Sequence, residues 1–180
     1  ANAENQQQTQ TEAGGQNSPS EDALTRARTI RENAEFSRAE IAIRQAMQDM
    51  PDIAELSRNV IMEQTPEGLR IQLIDQEGRS MFNPGDAAPN DRARRLLTVV
   101  AGVISQLNNR ITISGHTDGS APGGRYNSNF ELSAARANEA RRILMGQQIP
   151  SERIYEVAGR ADSEPLFPDD PTMPGNRRIA

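Results

Sequence analysis

Two charged residues, Asp118 and Arg136, could together hold a small zwitterion. They lie in the stretch ITISGHTDGSAPGGRYNSNFELSAARANEARR, which runs from Ile111 to Arg142. Asp118 closes an apolar run through the polar turn Gly115-His116-Thr117-Asp118. Arg136 belongs to a helix expected to open at Ser128. At about 100° per residue, the inward arc of that helix gathers Leu132, Ala140 and Ile143 with Arg136 at its centre. A buried guanidinium without a partner is costly, so Arg136 is expected to meet an anion. Two arrangements satisfy that demand. One is an internal salt bridge with Asp118. The other is a pocket that both residues line at the helix N-terminus. In the pocket, free helix N–H groups and Arg136 suit a carboxylate. Asp118, Thr117 and Asn129 would offer acceptors to an ammonium. An acid on one side and a base on the other match an amino-acid head group, whereas a phosphate calls for more cations.

The composition narrows the setting of such a pocket. The chain has 180 residues, 35% of them hydrophobic, and a net charge of -5. Part of it must be solvated, and a general nucleic-acid binder, which needs a basic face, is excluded. Cysteine is absent, which removes disulfides and thiolate metal sites. All 20 basic residues are arginine, a pattern read as genome base-composition bias. The sequence contains no run of about 18 apolar residues, the length needed to cross a membrane as a helix. The first residue is Ala1, so the chain reads as a fragment whose N-terminal part would carry any membrane segment.

The elements that must position these residues follow from periodicity and punctuation. Residues 1–19 are rich in Gln, Asn, Thr and Gly and read as a disordered linker. Residues 20–58 read as a spacer or regulatory region built on a long polar helix over 20–50, capped by Ser18 or Ser20 and closed by Pro51. Its apolar stripe is expected along Leu24, Ala27, Ile30, Ala34, Ile41, Met47 and Met50. Residues 59–180 then form the main domain. Runs 60–65 and 69–75 flank the turn Pro66-Glu67-Gly68, and Leu69, Ile71 and Leu73 alternate as in a half-buried strand. Ala93, Leu96, Leu97, Val100, Val103, Ile104 and Leu107 mark a helix over 91–108, capped by Asn90 or Asp86. A strand at 110–114, a helix at 128–145 and a strand at 153–158 follow. A Pro/Asp-rich loop then leads to Asn176, Arg177, Arg178 and Ile179, the start of a last strand. Ser128 and Glu131 form a capping box for the second core helix. The order is that of an α+β layer of helices on one face of a sheet.

Three blocks carry a family resemblance: GHTD, then Asn129-Phe130-Glu131-Leu132-Ser133-Ala134-Ala135-Arg136-Ala137, then the terminal NRRI. Together, in this order over roughly Leu69 to Ile179, they resemble the OmpA-like peptidoglycan-binding domain. The resemblance implies a βαβαββ two-layer sandwich, here with an added N-terminal hairpin strand and a long N-terminal helix. It implies that Asp118 and Arg136 hold the free end of diaminopimelate in a peptidoglycan stem peptide, with Asn129 as the motif asparagine. Arg177 or Arg178 matches the terminal arginines that close the site. Within the family, NFELSAARAN and LRIQLIDQEGRSMF resemble the MotB type, which fixes flagellar stators to the cell wall. That likeness implies a non-catalytic, periplasmic, homodimeric anchor joined to a MotA-like membrane partner through a preceding segment. An envelope-integrity lipoprotein or a secretion-system anchor would use the same pocket chemistry, and a peptidoglycan hydrolase is the reading from a different class. The sequence departs from the family at Gly119-Ser120, and the stop at Ala180 leaves open where the sheet ends.

The remaining candidates read as structural. His116 is the only histidine, so a zinc site would need an all-carboxylate remainder, and no metal or cofactor is expected. No serine sits in a nucleophile elbow, which argues against catalysis. Gly119 to Gly124 lacks the Lys-Ser/Thr partner of a phosphate loop and reads as a flexible rim.

Overall fold

Ser20 and Asn90, both expected as helix caps, perform that role in the computed structural model, which describes residues 20–180. The expected disordered linker at 1–19 lies outside the described residues. Helix α1 (Glu21–Gln48) starts where Ser20 Oγ accepts from the Ala23 N–H at 3.2 Å. Helix α3 (Asp91–Ile104) starts where Asn90 Oδ1 accepts from the Ala93 N–H at 2.9 Å. Between them, α2 (Pro51–Ala54) and a 3-10 turn (Glu55–Asn59) bring the chain to the sheet.

The stripe of α1 differs from the one the sequence suggested. Its buried residues are Phe36, Ala39, Ile43 and Met47, at three- and four-residue steps, while Leu24, Ile30 and Ile41 face solvent. Among the described residues only the C-terminal half of the helix finds a surface to cover, and the apolar residues of its first turns are exposed. Ile43, Met47, Ile53 and Leu56 are part of the same core as the sheet. Near the point where α1 meets the domain, Glu32 Oε1 accepts from Asn109 at 2.8 Å and Ser37 Oγ from Gln64 at 3.0 Å. That pole holds the start of the third strand and the turn between the first two. The helix then runs toward the opposite pole, where Arg92 and Arg95 of α3 pair with Glu55 and Asp52.

Five strands form one mixed sheet in the order β1-β2-β5-β3-β4. Strands β1 (Val60–Thr65) and β2 (Gly68–Ile74) make the antiparallel hairpin, with Val60 opposite Leu73. Strand β3 (Ile111–His116) lies parallel to β4 (Ile154–Gly159), joined to it through α4 (Asn129–Gly146). The last strand, β5 (Arg178–Ile179), is only two residues long yet sits between β2 and β3, antiparallel to both. The edges of the sheet are therefore β1 and β4, not the last strand. Ala180 itself exchanges two 2.9 Å backbone bonds with Ser114. The helices cover one face, and Val60, Leu73, Ile113 and Ile179 pack there against Leu96, Leu97 and Val100 of α3 and Ala137, Ala140 and Leu144 of α4. This is the expected two-layer α+β sandwich with its added hairpin strand and long first helix.

Candidate functional site

The ends of β2 and β3, the start of α4 and the loop before α3 converge on one cavity of about 270 Å³. Thr117, Asp118, Asn129, Arg136 and Arg177 all line it, together with Ser80, Phe82 and Gly85. The capping box places α4 against this end. Glu131 N donates to Ser128 Oγ at 3.2 Å, and the Glu131 carboxylate reaches back to the Asn127 N–H at 3.0 Å.

Arg136 is buried, as its position on the helix face requires, but it does not meet an anion. Its Nε donates to the backbone carbonyl of Asp86 at 2.9 Å, and Nη2 reaches the carbonyl of Asn83 at 3.4 Å. The guanidinium lies 4.5 Å from the Phe82 ring centroid, a cation–π contact. The internal salt bridge with Asp118 is thus absent. Carbonyl dipoles and an aromatic face replace it, because the loop at 83–86 folds over the arginine. Burial holds the Arg136 guanidinium below its ordinary pKa, and the nearby Asp75 charge opposes that shift only in part. Among the described residues Nη1 donates to nothing, so a charged donor at the cavity wall stays available.

Asp118 pairs instead with Arg177. Its Oδ2 accepts from Arg177 Nη1 at 2.5 Å, and its Oδ1 from the Ser120 N–H at 2.8 Å. Arg177 Nε reaches Asp75 Oδ2 at 2.9 Å. Burial works against the Arg177 charge, but the hydrogen bonds it donates to both acids outweigh it and raise its pKa above the ordinary value. Asn129 organises the loop after β3: its Nδ2 donates to Ser120 O at 2.8 Å and Asp118 O at 3.5 Å. Thr117 presents a buried hydroxyl with no hydrogen-bond partner among the described residues. The rim closes where Gly85 and Gly124, both at positive φ, touch backbone to backbone. A Cβ on Gly124 would lie 2.9 Å from Gly85 O.

Of the two terminal arginines, only Arg177 reaches the cavity. Arg178 points to the other face of the sheet, since neighbouring strand residues alternate and Ile179 faces the core. There its Nε donates to Gln72 Oε1 at 2.9 Å and its Nη2 to Glu164 O at 2.8 Å. Of the two arginines offered as alternatives for closing the site, Arg178 does not line the cavity. Asp75 went unnoticed in the sequence, although it is 1% exposed and central to the arrangement. Its only sequence signal is an acid directly after the apolar end of β2.

His116 lies beside Arg178 on that far face and contacts Ser114 Oγ at 3.0 Å through Nε2. Burial, then repulsion from Arg178 and Arg160, pushes its pKa down to about 4 from the usual 6.5. The unfolded chain binds the proton more readily than the folded one, so the neutral imidazole stabilises the fold fully above the unfolded pKa. That stability falls as pH drops from about 6.5 to about 4, by up to about 3 kcal/mol. Urea titrations at pH 7.5 and 4.5 should show the loss in wild type and a smaller one in His116→Asn. Equal losses in both proteins would remove His116 as its origin.

The cavity residues lie in a region with known relatives. A model of the OmpA family matches residues 81–178. Motility protein B of Escherichia coli (strain K12) is 38% identical over 138 residues, which cover 76% of this chain and 45% of that protein. The chain spans about half the length of the curated relatives it matches. Among solved structures, a putative MotB-like protein from Desulfovibrio vulgaris superposes with a TM-score of 0.59 at 24% identity, covering 80% of this chain and 91% of that one. The cell wall anchor of the type VI secretion system of Pseudomonas aeruginosa does so with a TM-score of 0.58 at 24% identity, over 71% and 90% of the two chains. These two likenesses establish the fold.

Proposed function

Since this chain belongs to the OmpA family, we propose that it is a non-catalytic anchor that binds peptidoglycan in the periplasm and fixes a flagellar stator to the cell wall. The ligand is the free end of diaminopimelate in the stem peptide. The observation that carries the reading is the pairing of opposite charges across one cavity. Arg136 offers an unused Nη1, and Asp118 with Asn129 Oδ1 and Thr117 Oγ1 offers acceptors. The ligand carboxylate docks on Arg136, and its ammonium lies against Asp118, with Asn129 and Thr117 setting its orientation. Arg177 holds Asp118 in place.

In the longer protein, residues 59–180 form the wall-binding unit together with the second half of α1 and α2, which share its core, and the exposed first half of α1 is the spacer toward the membrane. Support for this comes from the placement of α1, which meets the domain at the pole away from the cavity. Its first turns, fully exposed, would carry the membrane-side chain outward. We propose further that the full assembly is a homodimer with a MotA-like partner, as the resemblance to the MotB type implies. Full-length protein that leaves the membrane as a monomer without a channel subunit would sink this part of the proposal.

Sedimentation with purified sacculi tests the binding directly. The chain should pellet with walls of the diaminopimelate type and be released by free diaminopimelate. It should pellet far less with walls whose stem peptides carry lysine, which lacks the second carboxylate. Equal pelleting with both wall types, or none with either, overturns the reading.

A further inference from the structure

The charge balance of the cavity rests on a residue that does not line it. Asp75 follows β2 and is almost fully buried, and each of its oxygens is fixed. Oδ1 accepts from the Met81 N–H at 2.7 Å, while Oδ2 accepts from Ser80 Oγ at 3.2 Å and from Arg177 Nε at 2.9 Å. The backbone ties the same two residues again, with Asp75 N donating to Arg177 O at 3.0 Å. Arg177 therefore cannot turn its whole guanidinium to Asp118. It gives its Nε edge to Asp75 and its Nη1 to Asp118.

The consequence is electrostatic. One guanidinium shared between two carboxylates leaves the group Asp75–Arg177–Asp118 with one net negative charge. Arg136, whose partners are carbonyls and a ring, keeps its own positive charge across the same cavity. The cavity is thus a fixed dipole with one anionic and one cationic wall. If the Asp75 charge were removed, Arg177 would neutralise Asp118, and only the cationic wall would remain. Such a site would hold a carboxylate but would have little use for an ammonium.

We infer that Asp75 is the specificity-determining positioning residue of this cavity: by sharing Arg177 it keeps Asp118 negative, and so makes the site select a zwitterion over a simple carboxylate. The inference rests on the binding reading above and adds a residue and a selectivity to it. It explains why an acid would be buried beside a pocket that it does not touch.

Two synthetic stem peptides ending in diaminopimelate provide the test, one with the free amine at the far end and one with that amine acetylated. Titration calorimetry on the wild-type chain should show at least a tenfold preference for the free amine. Asp75→Asn, which keeps the shape and the acceptor for Met81 N–H, should reduce the preference to threefold or less and leave binding of the acetylated peptide unchanged or stronger. Arg177→Gln should act in the opposite direction and widen the preference, because Asp118 then has no internal cation. A general loosening of the site would weaken both peptides together. The inference is overturned if Asp75→Asn stays folded and keeps the wild-type preference. If Asp75→Asn does not fold, Arg177→Gln decides: an unchanged or narrower preference overturns the inference. Wild-type protein that binds neither peptide, or both equally, overturns the functional reading itself.

Discussion

Replacing Arg136 with methionine should lower affinity for sacculi by about one to two decades and leave the protein folded. The change removes a charge-assisted contact to the ligand carboxylate, which typically contributes about 1.5–3 kcal/mol. Methionine keeps a long apolar stem over the Phe82 ring, so the packing under the loop at 83–86 survives. The two carbonyls that Arg136 now satisfies belong to Asp86 and Asn83, exposed residues on either side of the cavity-lining Pro84 and Gly85, and can turn to water. Stability should therefore fall much less than binding. The comparison needs two measurements on one preparation, a sacculus binding isotherm and a thermal unfolding curve. Wild-type affinity in a folded Arg136→Met protein would remove the guanidinium from the site.

Gly115→Ala should have the opposite profile, with the fold failing first. A Cβ at Gly115 would lie 2.1 Å from the carbonyl oxygen of Ser133 and 2.9 Å from its carbonyl carbon. Those atoms are backbone of α4, so no rotamer change relieves the clash, and the helix must lift off β3. Overpacking of this kind costs about 3 kcal/mol or more, since a whole element moves. For a chain of this size that is a loss of roughly 10 °C in Tm. The same movement separates Arg136 and Asn129 on α4 from Asp118 at the end of β3, so any folded fraction should bind poorly. Circular dichroism melts give the answer. A Tm within a degree or two of wild type would mean that α4 does not depend on this close approach.

The parts of the architecture with local causes could be read directly. Caps are contacts between residues three apart, which is why Ser20, Asn90 and Ser128 marked their helices. Alternation at Leu69, Ile71 and Leu73 revealed a strand because a pleat repeats every two residues. Arg136 betrayed itself as a charge on an apolar arc, and Asp118 by its place at a strand end. The stripe of α1 was misplaced because Leu24 and Ile30 fit the helical period as well as Phe36 and Ile43 do. Which of them is covered depends on where the helix leaves the domain.

What the sequence determined by itself was therefore the elements, their order, and the main polar groups of the cavity wall, Thr117, Asp118, Asn129 and Arg136, with Arg177 or Arg178 left open. What only the tertiary structure decided was who pairs with whom. Arg177 joins Asp75 across 102 positions of sequence, a distance over which no local pattern operates. Arg136 found carbonyls and a ring where a carboxylate was expected, because a loop fifty residues earlier in the chain folds over it. Arg177 and Arg178 are neighbours in the chain, but the central placement of β5 sends one to the cavity and the other to the far face. Periodicity and caps act within a few residues, whereas charge pairing is set by the packing of elements distant in sequence.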